Sequence, residues 1–184
     1  MDTQTSFSPL DQAIAGRRSV RSFDPSRVPA RNLVDAVVDA GLKAPTGRNQ
    51  QSSVIIRIDD KEMQEKIRAL NAKIMGTPPP GRPADPFYSA PVMLMVVADK
   101  SRSTAVYDGS LALGYMMLKA HELGLASCWI HRAKEEMETE LGREICARAG
   151  LEGEYIGVGH LALGYAAGPL PPPRVPDPKR YRAI

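Results

Sequence analysis

The sequence predicts an α+β protein in which helices flank a central sheet in three layers. Short runs rich in β-branched residues, typical of strands, alternate with segments whose apolar residues recur three and four positions apart, typical of helices. Strands separated by helices at uneven spacing are typical of an α+β domain or of a three-layer α/β domain. We expect one domain over residues 1–184, with a mixed sheet and a proline-rich tail from about residue 168.

Two helices and a loop are predicted before the first strand. The segment Pro9–Gly16 is a short helix that ends at a glycine. A second helix follows Pro29, because apolar residues recur on one of its faces as far as Leu42, shortly before Pro45. The polar stretch "APTGRNQQ" then predicts a loop, and "SVIIRI" predicts a strand over Ser53–Ile58.

The middle of the chain predicts a buried strand and a buried helix. An amphipathic helix over Lys61–Met75 is followed by the proline-rich loop Gly76–Pro86. The continuous apolar run Pro91–Asp99 indicates a strand covered on both faces. From about Thr104 to Leu123, apolar residues lie on nearly every side of a helix. One subunit of this size has too few layers to cover such a helix, so we expect it in a homodimer interface.

The C-terminal third predicts a helix over Lys134–Ala149 and a final strand over Glu154–Tyr165. The tail "AAGPLPPPRVPDPKRYRAI" has no core of its own. It is therefore either disordered or laid along another surface, such as a partner subunit.

Composition argues against several classes of protein. The net charge of +3 comes from 24 basic and 21 acidic residues mixed along the chain, which does not favour nucleic acid as a partner. The apolar stretch Gly109–Ile130 carries Lys119, His121 and Glu122, so we expect no membrane span. With two cysteines and no export signal, the expected location is cytoplasmic.

Two motifs have simpler explanations than a ligand site. "GVGHLA", residues 157–162, matches the dinucleotide fingerprint in letters, but no long helix follows it, so its glycines more readily serve close backbone packing. Cys128, His131 and Cys146 are three candidate zinc ligands without a second closely spaced pair, which favours buried thiols and no metal.

The arginine cluster near the N-terminus is a stronger candidate. Arg17, Arg18 and Arg21, with the hydroxyl of Ser19, place forked donors in one short segment, which suits a phosphate. Solvated surface charge is the alternative interpretation.

Three separated motifs together resemble the nitroreductase family of flavin mononucleotide (FMN) enzymes. They are "RRSVRSF" (17–23), "KAPTGRNQQ" (43–51) and "AHELGLASCWI" (120–130), and they stand in the family's order. The late "ALGYAAGPLPPPR" has the family's Gly-Tyr and proline-rich ending, so the resemblance spans about residues 10–176. It implies a nitroreductase-like fold whose C-terminal tail is exchanged in a homodimer.

The resemblance also implies the cofactor site. The first motif and a C-terminal cation would hold the FMN phosphate and ribityl chain, the second motif of the other subunit would cover the isoalloxazine ring, and a backbone N–H within residues 129–132 would point at flavin N5. The implied cofactor-binding residues are Arg17, Arg18, Ser19, Arg21, Pro45, Thr46, Gly47, Asn49, Gln51, Trp129, Ile130, His131 and Arg174. Arg82 is a further candidate near the flavin.

The activity implied is two-electron, ping-pong transfer from NADH or NADPH to electron-poor small molecules such as nitroaromatics or quinones, with no catalytic side chain required. Three departures from the family pattern leave an alternative open: Ser52 and Ser53 replace a Pro-aromatic pair, and Pro172 replaces a second C-terminal cation. The alternative is a flavin-binding sensor or carrier without turnover. A structural or thiol-redox protein is a third possibility, disfavoured by the lack of C-x-x-C.

Overall fold

The computed structural model describes residues 8–173 and 175–183, and its mixture of helices and strands confirms the α+β class. The elements are α1 (Pro9–Gly16), α2 (Arg31–Leu42), β1 (Ser53–Arg57), α3 (Lys61–Met75), β2 (Val92–Asp99), α4 (Ala105–Glu122), β3 (Ala126–Ile130), α5 (Ala133–Met137), α6 (Glu140–Arg148) and β4 (Tyr155–Gly164), with short 3₁₀ turns at Gly47–Asn49 and Pro178–Arg180.

The four strands form one sheet in the order β1-β2-β4-β3, and every neighbouring pair is antiparallel. The expectation of mixed strands is therefore wrong for this sheet. In the described part of the chain, parallel pairing is limited to an isolated bridge between Ser19 and Ser127. The helical connections, α3 between β1 and β2 and α5 with α6 between β3 and β4, join neighbouring strands that run in opposite directions, so these helices do not serve as the crossovers that parallel strands require.

Helices cover both faces of the sheet, which confirms the three layers. On one face, α4 packs against β2 and β4, and α2 packs against α4 and β1, with Val37, Leu113 and Met116 fully buried. On the other face, apolar residues of α3, α5 and α6 share a core with Met93 and Met95 of β2. The two central strands, β2 and β4, are buried along most of their length, as the continuous apolar run of β2 predicts.

Two elements differ from the sequence prediction. Strand β3 was not predicted, because its five residues follow α4 with only Gly124 (φ +72°) between them to signal the change. The single helix predicted over residues 134–149 is two helices. The chain breaks at Thr139, whose hydroxyl donates to the Glu136 carbonyl at 2.7 Å, and α6 then lies so close that a Cβ on Gly142 would stand 2.5 Å from Met137 Cα.

The exposed residues of α4 form one apolar stripe, apart from Glu122 at the end of the helix. Val106, Tyr107, Leu111 and Tyr115 are exposed, although α2 and the sheet cover the other sides of the helix. Residues 167–173 and 175–183 of the tail are also exposed, and 92% of the Val175 surface is accessible. Both the α4 stripe and the described part of the tail therefore stay uncovered in a single chain.

Candidate cofactor site

The first motif begins where α1 meets the end of α4. Ser8 and Asp11 form a capping box that starts α1. The helix ends at Gly16, where a Cβ would stand 2.4 Å from His121 Nε2 of α4. A side chain at this position would have to displace the His121 ring, and Arg17 and Arg18 follow directly after this contact with the last turn of α4.

Backbone hydrogen bonds then attach the first motif to the third. The Val20 N–H donates to the Ser127 carbonyl at 3.0 Å, beside the bridge between Ser19 and Ser127. Three residues later, the Phe23 N–H donates to the Tyr88 carbonyl at 3.2 Å. Residues 19–23 therefore lie between β3 and the segment that leads into β2.

The arginines of the first motif have no carboxylate partner within residues 8–173 and 175–183. Arg18 Nη1 donates to the carbonyls of Ala15 (2.6 Å) and Arg17 (2.8 Å), and its Nε donates to the Pro171 carbonyl of the tail at 3.2 Å. Arg21 donates to the Ser19 carbonyl at 3.2 Å. Because carbonyl oxygens do not neutralise guanidinium charge, the cluster retains the positive charge that an anion requires.

This positive charge affects the pKa values of two nearby groups, Cys128 and His121. Burial raises the pKa of the Cys128 thiol, while the charges of Arg21, Arg82 and Arg17 offset part of the rise. Burial also lowers the pKa of His121, and Arg18 and Arg17 lower it further. The proline-rich loop thus contributes Arg82 to the same electropositive region as the first motif.

The second motif is built around a carboxylate that sequence reasoning missed. Asp108, on the first turn of α4, is 3% exposed. It accepts hydrogen bonds from the Gly47 N–H (2.9 Å), the Ser52 hydroxyl (2.6 Å) and the Thr104 hydroxyl (3.0 Å). Burial alone would raise the pKa of Asp108, but these three bonds outweigh it and hold the pKa below its usual value. The only signal in the sequence was an acidic residue within a largely apolar helix.

The same loop has an unusual backbone. Arg48, Asn49 and Gln51 all have positive φ, between 49° and 54°, a region that non-glycine residues enter at a cost. A Cβ on Gly47 would stand 2.5 Å from Thr104 Oγ1, and the Thr46 hydroxyl accepts from the Gln51 N–H at 2.9 Å. Tertiary contacts therefore fix a strained loop that presents Pro45, Asn49 and Gln51 at the surface.

The third motif ends β3 and begins α5. The Trp129 ring lies over Gly159, where a Cβ would stand 2.1 Å from its Nε1. Ile130 is buried and His131 is exposed. Arg132 then precedes α5 and donates from Nε to Asn71 Oδ1 at 2.7 Å.

Within one chain, the structure brings together only two of the three motifs. The first motif bonds to Ser127 of the third motif. The second motif bonds to Asp108, at the opposite end of α4. His121 follows Asp108 by 13 positions, which correspond to about 20 Å along the helix. Arg174, the predicted C-terminal cation, lies outside the described residues.

Neither a metal centre nor a membrane helix is found in the described ranges. No group of three His, Cys, Asp or Glu side chains within residues 8–173 and 175–183 is arranged to hold a metal ion. Across the same residues, no helix combines the length and the apolar character needed to span a bilayer.

Comparison with known proteins places this geometry in a family. A protein from Methanothermobacter thermautotrophicus, named for NADH dehydrogenase or NAD(P)H nitroreductase activity, is 30% identical over 133 residues, which are 70% of this chain. The chain spans 64% of that protein's length.

Solved structures share the fold. An FMN-bound nitroreductase from Desulfitobacterium hafniense superimposes with a TM-score of 0.85 at 25% identity, covering 97% of this chain and 100% of the other. An FMN-bound nitroreductase from Bacteroides fragilis gives 0.83 at 23% identity with the same coverage. The sequence model of the Nitroreductase family matches residues 14–165, and the chain therefore belongs to the nitroreductase family.

Proposed function

We propose that this protein is an FMN-dependent oxidoreductase that uses NADH or NADPH to reduce electron-poor small molecules such as nitroaromatics or quinones. The observation that carries the proposal is the arginine cluster of the first motif, which lacks a carboxylate partner in the described chain and is bonded to the β3 segment. Family membership and the FMN in the superimposed structures support FMN as the ligand.

The phosphate would bind to Arg17, Arg18 and Ser19. Both arginines adjoin His121 at the end of α4, and the bond from Arg18 to the Pro171 carbonyl keeps the tail beside the same cluster. Arg174 follows three residues later and is the proposed C-terminal cation. Arg21 and Arg82 extend the positive region toward Cys128, where they would favour the negative charge that reduction places on the flavin.

A homodimer would complete the site. The second motif lies about 20 Å along α4 from the first, so a single chain does not place both against one ring. A two-fold axis that packs the exposed stripe of α4 against itself in antiparallel orientation would bring each end of the helix to the opposite end of its mate. The second motif of the partner would then cover a ring whose phosphate is held by the first. The apolar side chains Val106, Tyr107, Leu111 and Tyr115 support this interface.

The chain would bind and orient the cofactor rather than act by acid–base catalysis. Bound FMN supplies the two-electron chemistry. Backbone N–H groups within residues 129–132 would face the reactive edge of the ring, and the strained loop 46–51 would exclude water from one side. The nicotinamide and the electron acceptor would occupy the same open face in turn, which is a ping-pong sequence. The two free thiols, Cys128 and Cys146, suit the cytoplasm.

The first experiment is an absorption spectrum of the purified protein, with the mass of whatever heat releases from it. A flavin spectrum and the mass of FMN are expected, with one FMN per chain. A colourless protein that takes up no added FMN would contradict the proposal. Rapid mixing of the flavin-loaded protein with NADH and with NADPH then separates enzyme from sensor: loss of the flavin band with either donor supports turnover, and retention with both supports the sensor.

A further inference from the structure

A chain of polar side chains is buried beneath the turn that joins β3 to α5. Arg132 Nε donates to Asn71 Oδ1 on α3 at 2.7 Å, and Asn71 Nδ2 donates to one carboxylate oxygen of Glu136 on α5. The other oxygen lies 2.5 Å from His160 Nε2 on β4. Asn71, Glu136 and His160 have no accessible surface. Three elements of the fold are thus connected to Arg132 by hydrogen bonds.

Such a buried polar network does not stabilise a core more than apolar residues would. A buried carboxylate and amide are desolvated, and apolar residues of similar volume often give equal or greater stability. The His160 ring also leaves Nδ1 without a partner among the described residues, which fits the tautomer that donates from Nε2 to Glu136. Since the arrangement costs stability at two places, a role in fixing one geometry is the better explanation.

The geometry that it fixes is the turn after Ile130. Helix α5 lies directly on β4, because a Cβ on Gly157 would stand 2.0 Å from the Ala133 carbonyl oxygen. Arg132 is held toward α3, and Glu136 is held toward β4 one turn later. The backbone of residues 130–133 is therefore restrained from both neighbouring elements and has little freedom to rotate its N–H groups.

We propose that Asn71, Glu136 and His160 are positioning residues which, through Arg132 and α5, hold the N–H groups at the end of β3 against the flavin ring and so set its reduction potential. This inference rests on the proposed function. Flavin N5 accepts a hydrogen bond when oxidised and carries a hydrogen when reduced, so a fixed N–H donor favours the oxidised form. A loosened turn is therefore expected to raise the potential.

The test compares two buried amides of the same helix. Asn71→Leu removes the link to Arg132 without changing charge. Gln64→Leu is its matched control, because Gln64 is also buried on α3 but bonds away from Arg132: it donates to the Ile58 carbonyl at 2.6 Å and accepts from Lys61 at 3.3 Å. The midpoint potential of bound FMN is measured by equilibration with a reference dye, beside the FMN dissociation constant and the melting temperature. Loss of one hydrogen bond predicts about a tenfold change in the reduction equilibrium, which is about 30 mV upward for a two-electron couple.

Arg132→Lys keeps the charge on a half-buried side chain and serves if Asn71→Leu does not fold. It too is expected to raise the potential, and because the loosened donor stabilises the oxidised form, the dissociation constant of oxidised FMN should rise by a matching factor. Either variant melting at a lower temperature with the wild-type potential would overturn the inference, as would an equal shift in Gln64→Leu. A wild-type protein that takes up no FMN would instead refute the proposed function, and this inference with it.

Discussion

Replacement of Asp108 by asparagine tests how the second motif is held. Asp108 uses both carboxylate oxygens for three donors, and the amide can offer only one oxygen. The Gly47 N–H can keep its acceptor, while the hydroxyls of Ser52 and Thr104 meet an NH₂ group and must rotate to accept from it. The net loss is about one charge-assisted hydrogen bond, so Asp108→Asn is expected to lower the free energy of unfolding by about 1.5–3 kcal/mol.

The assay is urea unfolding at pH 7 and at a fixed protein concentration, because dimerisation would make stability depend on concentration. Asp39→Asn is the control. Asp39 is exposed and pairs only with Lys43 at 2.6 Å, so its loss should change the free energy of unfolding little. The FMN dissociation constant should rise for Asp108→Asn and remain unchanged for Asp39→Asn, because Asp108 bonds to the strained loop 46–51 and to Ser52, whereas Asp39 pairs with Lys43.

The same residue predicts a dependence on pH. The pKa of Asp108 is lower in the folded chain than its usual value of 3.8, so its contribution to stability is present above that value and is lost as the pH falls through the folded pKa. The stability difference between wild type and Asp108→Asn should therefore shrink in strong acid. A variant as stable as wild type at pH 7, with unaltered FMN affinity, would refute the role that we assign to Asp108.

Three further predictions concern the rest of the site. Arg18→Ala should weaken FMN binding by about 1.5–3 kcal/mol in a fluorescence titration, with Arg31→Ala as an exposed control; equal affinities would remove Arg18 from the phosphate site. Gly16→Ala should lower the melting temperature, because its Cβ would stand 2.4 Å from His121 Nε2 and would displace that ring, and a wild-type melting curve would show that the ring moves aside without loss of stability. Leu111→Arg, in the exposed stripe of α4, should yield monomers in sedimentation and release FMN; a flavin-loaded dimer would place the interface elsewhere.

The predicted helices and strands that match the structure are those with a clear period or clear ends. Helix α3 has the predicted bounds, Lys61–Met75, because an amphipathic run stands between an acidic N-cap and a glycine. Strand β3 was missed because five mixed residues carry no period. The break between α5 and α6 at Thr139 was not predicted, because it depends on a close contact between Gly142 and Met137 that the local sequence pattern does not indicate.

For the site, the motifs predicted which residues matter but not how they are held. The arginine segment and the polar loop could be found from residue type alone. Clustered arginines suit a bound anion, and Pro, Gly, Thr and Asn in succession suit a turn. Asp108, Asn71, Glu136 and His160 could not be found in this way, since each acts through a partner between 24 and 65 residues away in the chain.

The sequence by itself determined the α+β class, the order of the elements with the exception of β3 and the division of one helix, and the three motifs that carry the family resemblance. Those properties depend on local periodicity and on residue chemistry, which neighbouring residues in the sequence already define. Only the tertiary structure decided that the strands are antiparallel, that Asp108 holds the second motif, and that α4 separates this motif from the arginines by about 20 Å. These depend on contacts between distant segments, because a side chain acquires its partners only when the chain has folded.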